Sequence, residues 1–166
     1  MIKKIYKLKK INIDSQLEFF EKEIISKKEN IDILNKISNG PNGYNISNIF
    51  KKENIPFEYK NILDKNKPPM LISFFNVGWH DDKDFATKSY PWFLIIVLED
   101  YEKNDFQLDI GKRKKRETTI LKKGEVYLIN TQYFHRVLYK GMYDDKPCSI
   151  IVSNTNIREK EILDYI

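Results

Sequence analysis

The sequence predicts an α+β fold, with a helical N-terminal part over residues 1–69, a β-rich core over 70–153 and a short closing helix over 154–166. Before Met70 the apolar residues recur at helical intervals. From Met70 onward, short runs rich in β-branched and aromatic residues are separated by turn or charged pieces. No helical pattern fits between those runs, as parallel βαβ units would require. Seven strands in about 85 residues therefore read as a sandwich or barrel.

The elements follow in order. After a short opening strand, "DSQLEFFEKEIISKKE" starts a helix: Ser15 with Glu18 three residues later makes a capping box, and Leu17, Phe20 and Ile24 repeat at helical spacing. Ile31, Leu34 and Ile37 predict a second short helix, ended by the turn signal "SNGPNG". "IFKKENIPFEYKNILDKNKPP" reads as loop with one further helix. The strands are then "MLISFFNVGW", "WFLIIVLED", "FQLDI", "ETTIL", "EVYLIN", "FHRVLY" and "CSIIVS". Their separators include "YEKND", "GKRKKR", "KKG" and "KGMYDDKP", and "NIREKEILDYI" supplies the closing helix.

At 166 residues the chain suits one domain with a core that needs no staples. Ten Phe, ten Tyr and two Trp furnish that core, and six Gly with six Pro argue against a disordered chain. No apolar run approaches the roughly 20 residues of a membrane span, and "MIKKIYKLKKINID" lacks the apolar stretch of a secretory signal. The single cysteine, Cys148, cannot form an internal disulfide, so a reducing cytoplasm is expected. A net charge of +5 permits an anionic partner without demanding one. No phosphate-cradling Gly loop and no Cys-rich zinc pattern is present.

The chemistry concentrates on the two histidines. In "NVGWHDDKDF", His80 and Asp82 stand two apart, so in an extended chain they point the same way while Asp81 faces the other side. One imidazole and one carboxylate make a poor metal site. His135, in "NTQYFHRVLY", is the other imidazole and lies 55 positions further on. Two His and one carboxylate on one side of an ion form the facial triad of non-haem Fe(II) oxygenases. Taken alone an H-x-D pair is weak, because a strand histidine is more often packed or exposed than a ligand. The surroundings give it weight.

Residues 70–153 resemble the double-stranded β-helix, or jelly-roll, core of the 2-oxoglutarate and Fe(II)-dependent dioxygenases. There an H-x-D pair follows an early strand and a distal His appears on a late one. In "KKGEVYLINTQYFHRV", Gly124, Glu125 and the strand Val126 to Ile129 lead to His135, which is also similar to the aspartyl/asparaginyl hydroxylase branch. The resemblance spans about half the chain. It implies that His80, Asp82 and His135 hold Fe(II), and that 2-oxoglutarate is consumed as an unidentified substrate is hydroxylated. Lys146, eleven residues past His135, then pairs with the far carboxylate of 2-oxoglutarate, with Ser149 or Ser153 adding a hydroxyl. The chain departs from the family here: an Arg followed two residues later by Ser would be more typical than "KPCS". Lysine binds a carboxylate as a point charge, without Arg's fork. Tyr90 and Tyr127 are candidates for the aromatic hydroxyl that supports the cosubstrate. Arg136 should face away from His135.

Two rival readings stand beside this one. A cupin-like metal protein would not use 2-oxoglutarate, but cupin sites usually draw on more histidines. A non-catalytic jelly-roll binding module would carry the triad by coincidence. "GKRKKRE" reads as a solvated hairpin tip, with a nucleic-acid or acidic-substrate contact as its alternative. Trp92 in "SYPW" reads as core. Protein side chain, nucleic-acid base and small metabolite all remain open as substrate, because the residues that choose among them sit on loops.

Overall fold

Trp92 to Leu98 is apolar at every position, without the alternation of a half-buried strand, because the sheet it belongs to is covered on both faces. The computed structural model describes residues 3–22, 53, 55–67, 69–74, 76–99, 106–112, 114–138 and 148–166. Its strands are β1 (Ile5–Lys7), β2 (Met70–Phe74), β3 (Val77–His80), β4 (Trp92–Glu99), β5 (Phe106–Lys112), β6 (Lys115–Leu121), β7 (Val126–Asn130), β8 (His135–Leu138) and β9 (Cys148–Asn154). They form two antiparallel sheets, one ordered β1-β7-β4-β9-β2 and the other β3-β8-β5-β6.

The inner faces of the two sheets share one apolar layer. Phe93, Ile95 and Val97 of β4 and Ile150 and Val152 of β9 meet Phe106, Leu108 and Ile110 of β5 and Val137 of β8. The outer face of the five-stranded sheet, with Leu94, Ile96, Leu128 and Ile151, is covered by a second layer. That layer contains Ile13 and Phe20 at either end of α1 (Asp14–Phe20), Tyr59 of α2 (Phe57–Lys60), and Ile162 of a closing 3-10 helix (Glu159–Tyr165). Burying each such side chain contributes about 1.5–3 kcal/mol. The β1 edge is sealed by the Glu117 carboxylate, which accepts the backbone N–H groups of Lys4 and Ile5 at 3.0–3.1 Å.

Three expectations need correcting. "MLISFFNVGW" is two strands, because β2 pairs with β9 in one sheet and β3 with β8 in the other, so the chain turns a corner between sheets. The Ser15–Glu18 capping box does not form. Asn12 Oδ1 takes the Asp14 N–H at 2.7 Å, the helix starts there, and Glu18 pairs with Lys22 instead. The closing helix is 3-10 in type, its Arg158 N–H held by Glu161 Oε2 at 2.8 Å. The helix expected over Ile31, Leu34 and Ile37, with its "SNGPNG" stop, lies outside the described residues. "GKRKKR" is a hairpin tip, Lys112 pairing with Lys115. Gly111 has φ +117°, and a Cβ there would sit 2.7 Å from the Lys115 carbonyl, so the hairpin needs glycine. Among the described residues, no helix is long and apolar enough to cross a membrane.

Candidate metal centre

Two residue pairs set the register of β3 against β8: Val77 opposite Val137 and His80 opposite His135. Between them β3 advances three residues while β8 steps back two. β3 therefore carries one extra residue, a bulge at Gly78 and Trp79 opposite Arg136. Val77 packs into the inter-sheet layer. Strict alternation from Val77 would send His80 to the outer face, and the extra residue turns it inward beside His135.

The imidazole centroids lie 4.2 Å apart with the rings inclined at 58°. In each ring Nδ1 meets a carbonyl two residues back along its own chain. His80 Nδ1 is 2.8 Å from the Gly78 oxygen, and His135 Nδ1 is 3.1 Å from the Tyr133 oxygen. A carbonyl only accepts, so Nδ1 is the donor in each contact, and Nε2 is the nitrogen left to meet a metal.

Asp82 arrives by a route the alternation argument did not foresee. β3 ends at His80, and Asp82 opens a turn whose carbonyl accepts the N–H of Phe85 at 2.9 Å and of Ala86 at 3.3 Å. Its own N–H donates to the Thr131 carbonyl at 3.3 Å. The carboxylate then reaches both rings, with Oδ2 3.2 Å from His135 Nε2 and Oδ1 3.9 Å from His80 Nε2. One ligand atom from each of the three residues lies within 4.8 Å of the others. Asp81 turns instead to Lys83, whose Nζ lies 2.8 Å from its Oδ2, and that hydrogen bond holds its carboxyl below the ordinary aspartate range.

Two imidazoles and one carboxylate suit a divalent iron-group ion, and each ring is already oriented through its other nitrogen. Side-chain exposure rises from 6 % at His135 to 21 % at Asp82 and 38 % at His80. The cluster thus runs from the interior at His135 toward solvent at His80.

The other candidates scatter. Lys146 lies outside the described residues. On β9, Cys148, Ile150 and Val152 enter the inter-sheet layer while Ile151 faces the helices. Alternation therefore turns Ser149 and Ser153 away from the histidines, a correction to the hydroxyl contact expected of them. Tyr127 does lie in the inter-sheet layer, but its hydroxyl is committed to the Ile120 carbonyl at 2.9 Å and to the Glu125 carboxylate. Burial, then Glu125, pushes its pKa well above the usual tyrosine value. It is a structural phenol rather than a free contact. Tyr90 is half-buried on the loop that carries Asp82, its N–H held by Thr87. Arg136 faces outward, as alternation requires, and Trp92 is core.

Sequence reasoning overlooked Thr131. It is fully buried, both its N–H and its hydroxyl donate to the Pro91 carbonyl at 2.8 and 2.9 Å, and its own carbonyl holds Asp82. It thereby ties the β3–β4 loop to the turn leading into His135. Nothing in its sequence context marks it.

No protein-family model matches the sequence, and no curated protein matches it. Solved structures do. The chain is similar to an oxidoreductase of the 2OG-Fe(II) oxygenase family from Burkholderia pseudomallei, at 11% identity and TM-score 0.42, over 55% of this chain and 43% of that one. The match thus spans less than half the length of that protein. It is also similar to OsALKBH1, at 14% identity and TM-score 0.48, over 93% and 99% of the two chains. A third, IDO from Bacillus thuringiensis, shares 13% identity at TM-score 0.39, over 90% and 96%.

Proposed function

We propose that this chain is a 2-oxoglutarate- and Fe(II)-dependent dioxygenase on a double-stranded β-helix, hydroxylating an as yet unidentified substrate. The observation that carries the reading is the convergence of His80 Nε2, His135 Nε2 and the Asp82 carboxylate where β3 and β8 pair in the four-stranded sheet. These three residues would hold Fe(II) from one side, with room opposite for the cosubstrates. Bound iron and 2-oxoglutarate supply the oxidising chemistry, in which decarboxylation to succinate and CO₂ accompanies oxidation of a substrate C–H bond.

The chain's own residues prepare the site. The Gly78 and Tyr133 carbonyls fix the tautomers, and Thr131 sets the height of Asp82. Ile110 and Val137, both buried and both flanking His135 in the ladder, keep water from its ring. Lys146 is our candidate partner for the far carboxylate of 2-oxoglutarate, and Tyr90 the remaining candidate hydroxyl. The single, buried Cys148 suits a reducing cytoplasm.

The test is uncoupled turnover. Protein loaded with Fe(II) and given 2-oxoglutarate, ascorbate and air is expected to release succinate slowly with no other substrate added. Absence of succinate, together with no calorimetric binding of 2-oxoglutarate, refutes the proposal.

A further inference from the structure

Among the described residues, two ladder pairs hold the bulge that turns His80 inward, one on either side. Something else must fix the position of the extra residue, and the outer face of the same sheet supplies it. Trp79, the bulge residue next to His80, lies under the guanidinium of Arg136, which is next to His135, at 4.7 Å from ring centroid to Cζ. Arg136 is itself immobilised, its Nε and Nη2 each 2.9 Å from Asp109 Oδ2. Asp109 is fully buried and takes two further hydrogen bonds on Oδ1, from Gln107 Nε2 and Thr118 Oγ1, both at 2.8 Å. Arg116 Nε stands 3.6 Å from Oδ2.

The result is a stack on three neighbouring strands: Trp79 on β3, Arg136 on β8 and Asp109 on β5, directly behind the two imidazoles. Each partner of the stack sits one residue from a histidine or opposite one that does, since Asp109 pairs with Arg136 in the ladder. We propose that Trp79, Arg136 and Asp109 act as a clamp that holds the bulge in β3 and thereby keeps His80 facing the metal centre. Trp79 and Arg136 are positioning residues, acting through His80 and touching neither metal nor substrate. A rigid aromatic plane pinned by a planar guanidinium resists rotation of the strand better than a flexible pair would. The inference rests on the reading that the triad binds a divalent ion.

Co(II) alone is the probe, followed by titration calorimetry and by its visible ligand-field absorption. Wild type is expected to bind one ion. Trp79→Leu should bind about tenfold more weakly, the effect usual for groups that orient a ligand, and its Co(II) spectrum should match that of His80→Ala. Trp79→Phe, which keeps a ring under the guanidinium, should recover most of the affinity. The Trp79→Leu/His80→Ala double variant should bind no more weakly than His80→Ala alone, because the clamp acts only through that imidazole. Arg136→Lys keeps a charge on Asp109 while losing the planar stack, and should behave like Trp79→Leu should the latter fold poorly. Trp79→Leu or Arg136→Lys binding Co(II) as wild type does would overturn the clamp, as would additive losses in the double variant, with the triad reading intact. If wild type binds no Co(II), both fall.

Discussion

Asp109 is fully buried, and Arg136 sets two guanidinium nitrogens on one of its oxygens. Burial by itself would raise its pKa. Hydrogen bonds from Gln107, Thr118 and Arg136, with the charge of Arg116, outweigh burial and hold the carboxyl below the ordinary aspartate value. A carboxyl with a lower pKa folded than unfolded adds stability above the unfolded value and loses it as pH falls through the folded one. Wild type is therefore expected to lose stability progressively below about pH 4. Asp109→Asn should be less stable at pH 7 and flatter across that acid range. Urea melts at pH 7 and pH 3 check this, and parallel behaviour of the two proteins would count against it.

Metal binding separates the neighbouring aspartates. His80→Ala, Asp82→Ala and His135→Ala each remove one of three protein donors and should abolish tight Mn(II) binding. Asp81→Ala removes a carboxylate already paired with Lys83 and should leave affinity within about twofold. Mn(II) at a hundred times its Kd should stabilise wild type by about 2.7 kcal/mol, and the three ligand variants hardly at all. Equal losses at Asp81 and Asp82 would show the wrong carboxylate to have been chosen.

Thr131→Val keeps shape and removes the hydroxyl that donates to Pro91. The Pro91 carbonyl retains the Thr131 N–H, so the cost should be about 1 kcal/mol. The carbonyl that holds Asp82 remains, and Mn(II) affinity should fall only slightly. A loss of binding comparable to Asp82→Ala would mean that the hydroxyl, not the main chain, places the loop.

Cosubstrate binding divides Lys146 from Tyr127. A charge-assisted pair contributes roughly 1.5–3 kcal/mol. On the role proposed for Lys146, Lys146→Ala should raise the KM for 2-oxoglutarate about ten- to a hundredfold with kcat little changed, since such a contact would be the same in ground and transition states. Lys146→Arg should retain more affinity. Tyr127→Phe should lower stability, as the Glu125 carboxylate loses a buried partner, and leave that KM alone. A raised KM in Tyr127→Phe would return this hydroxyl to the cosubstrate site.

Much of the architecture was legible because strands announce themselves locally. "WFLIIVLED", "ETTIL" and "CSIIVS" contain β4, most of β6 and β9 nearly to the residue. The break inside "MLISFFNVGW" was not legible, since it follows from which distant strand each half pairs with. The three candidate ligands were named from residue type and spacing, and the structure brings them together, but the reason given for Asp82 was incomplete. Alternation correctly set Asp81 apart, whereas a turn held by Thr131, 49 residues away, brings Asp82 in. Ser149 and Tyr127 were misjudged for the same reason. A hydroxyl's availability depends on the face its strand presents and on which acceptor reaches it first, and both are long-range facts.

The additional residue in β3 makes part of the site a matter of counting. Gly78→Ala is expected to be harmless, since a Cβ there meets nothing within 4 Å. Taking Gly78 out of the chain should also keep the facing: without the extra residue Val77, Trp79 and His80 would stand opposite Val137, Arg136 and His135 one to one, the indole still outward and the imidazole still inward. In β8, which carries no extra residue between Val137 and His135, a one-residue change of length is the severe lesion. A survey by single-residue deletion would therefore rank Gly78 far below Arg136, the residue that faces it across the bulge.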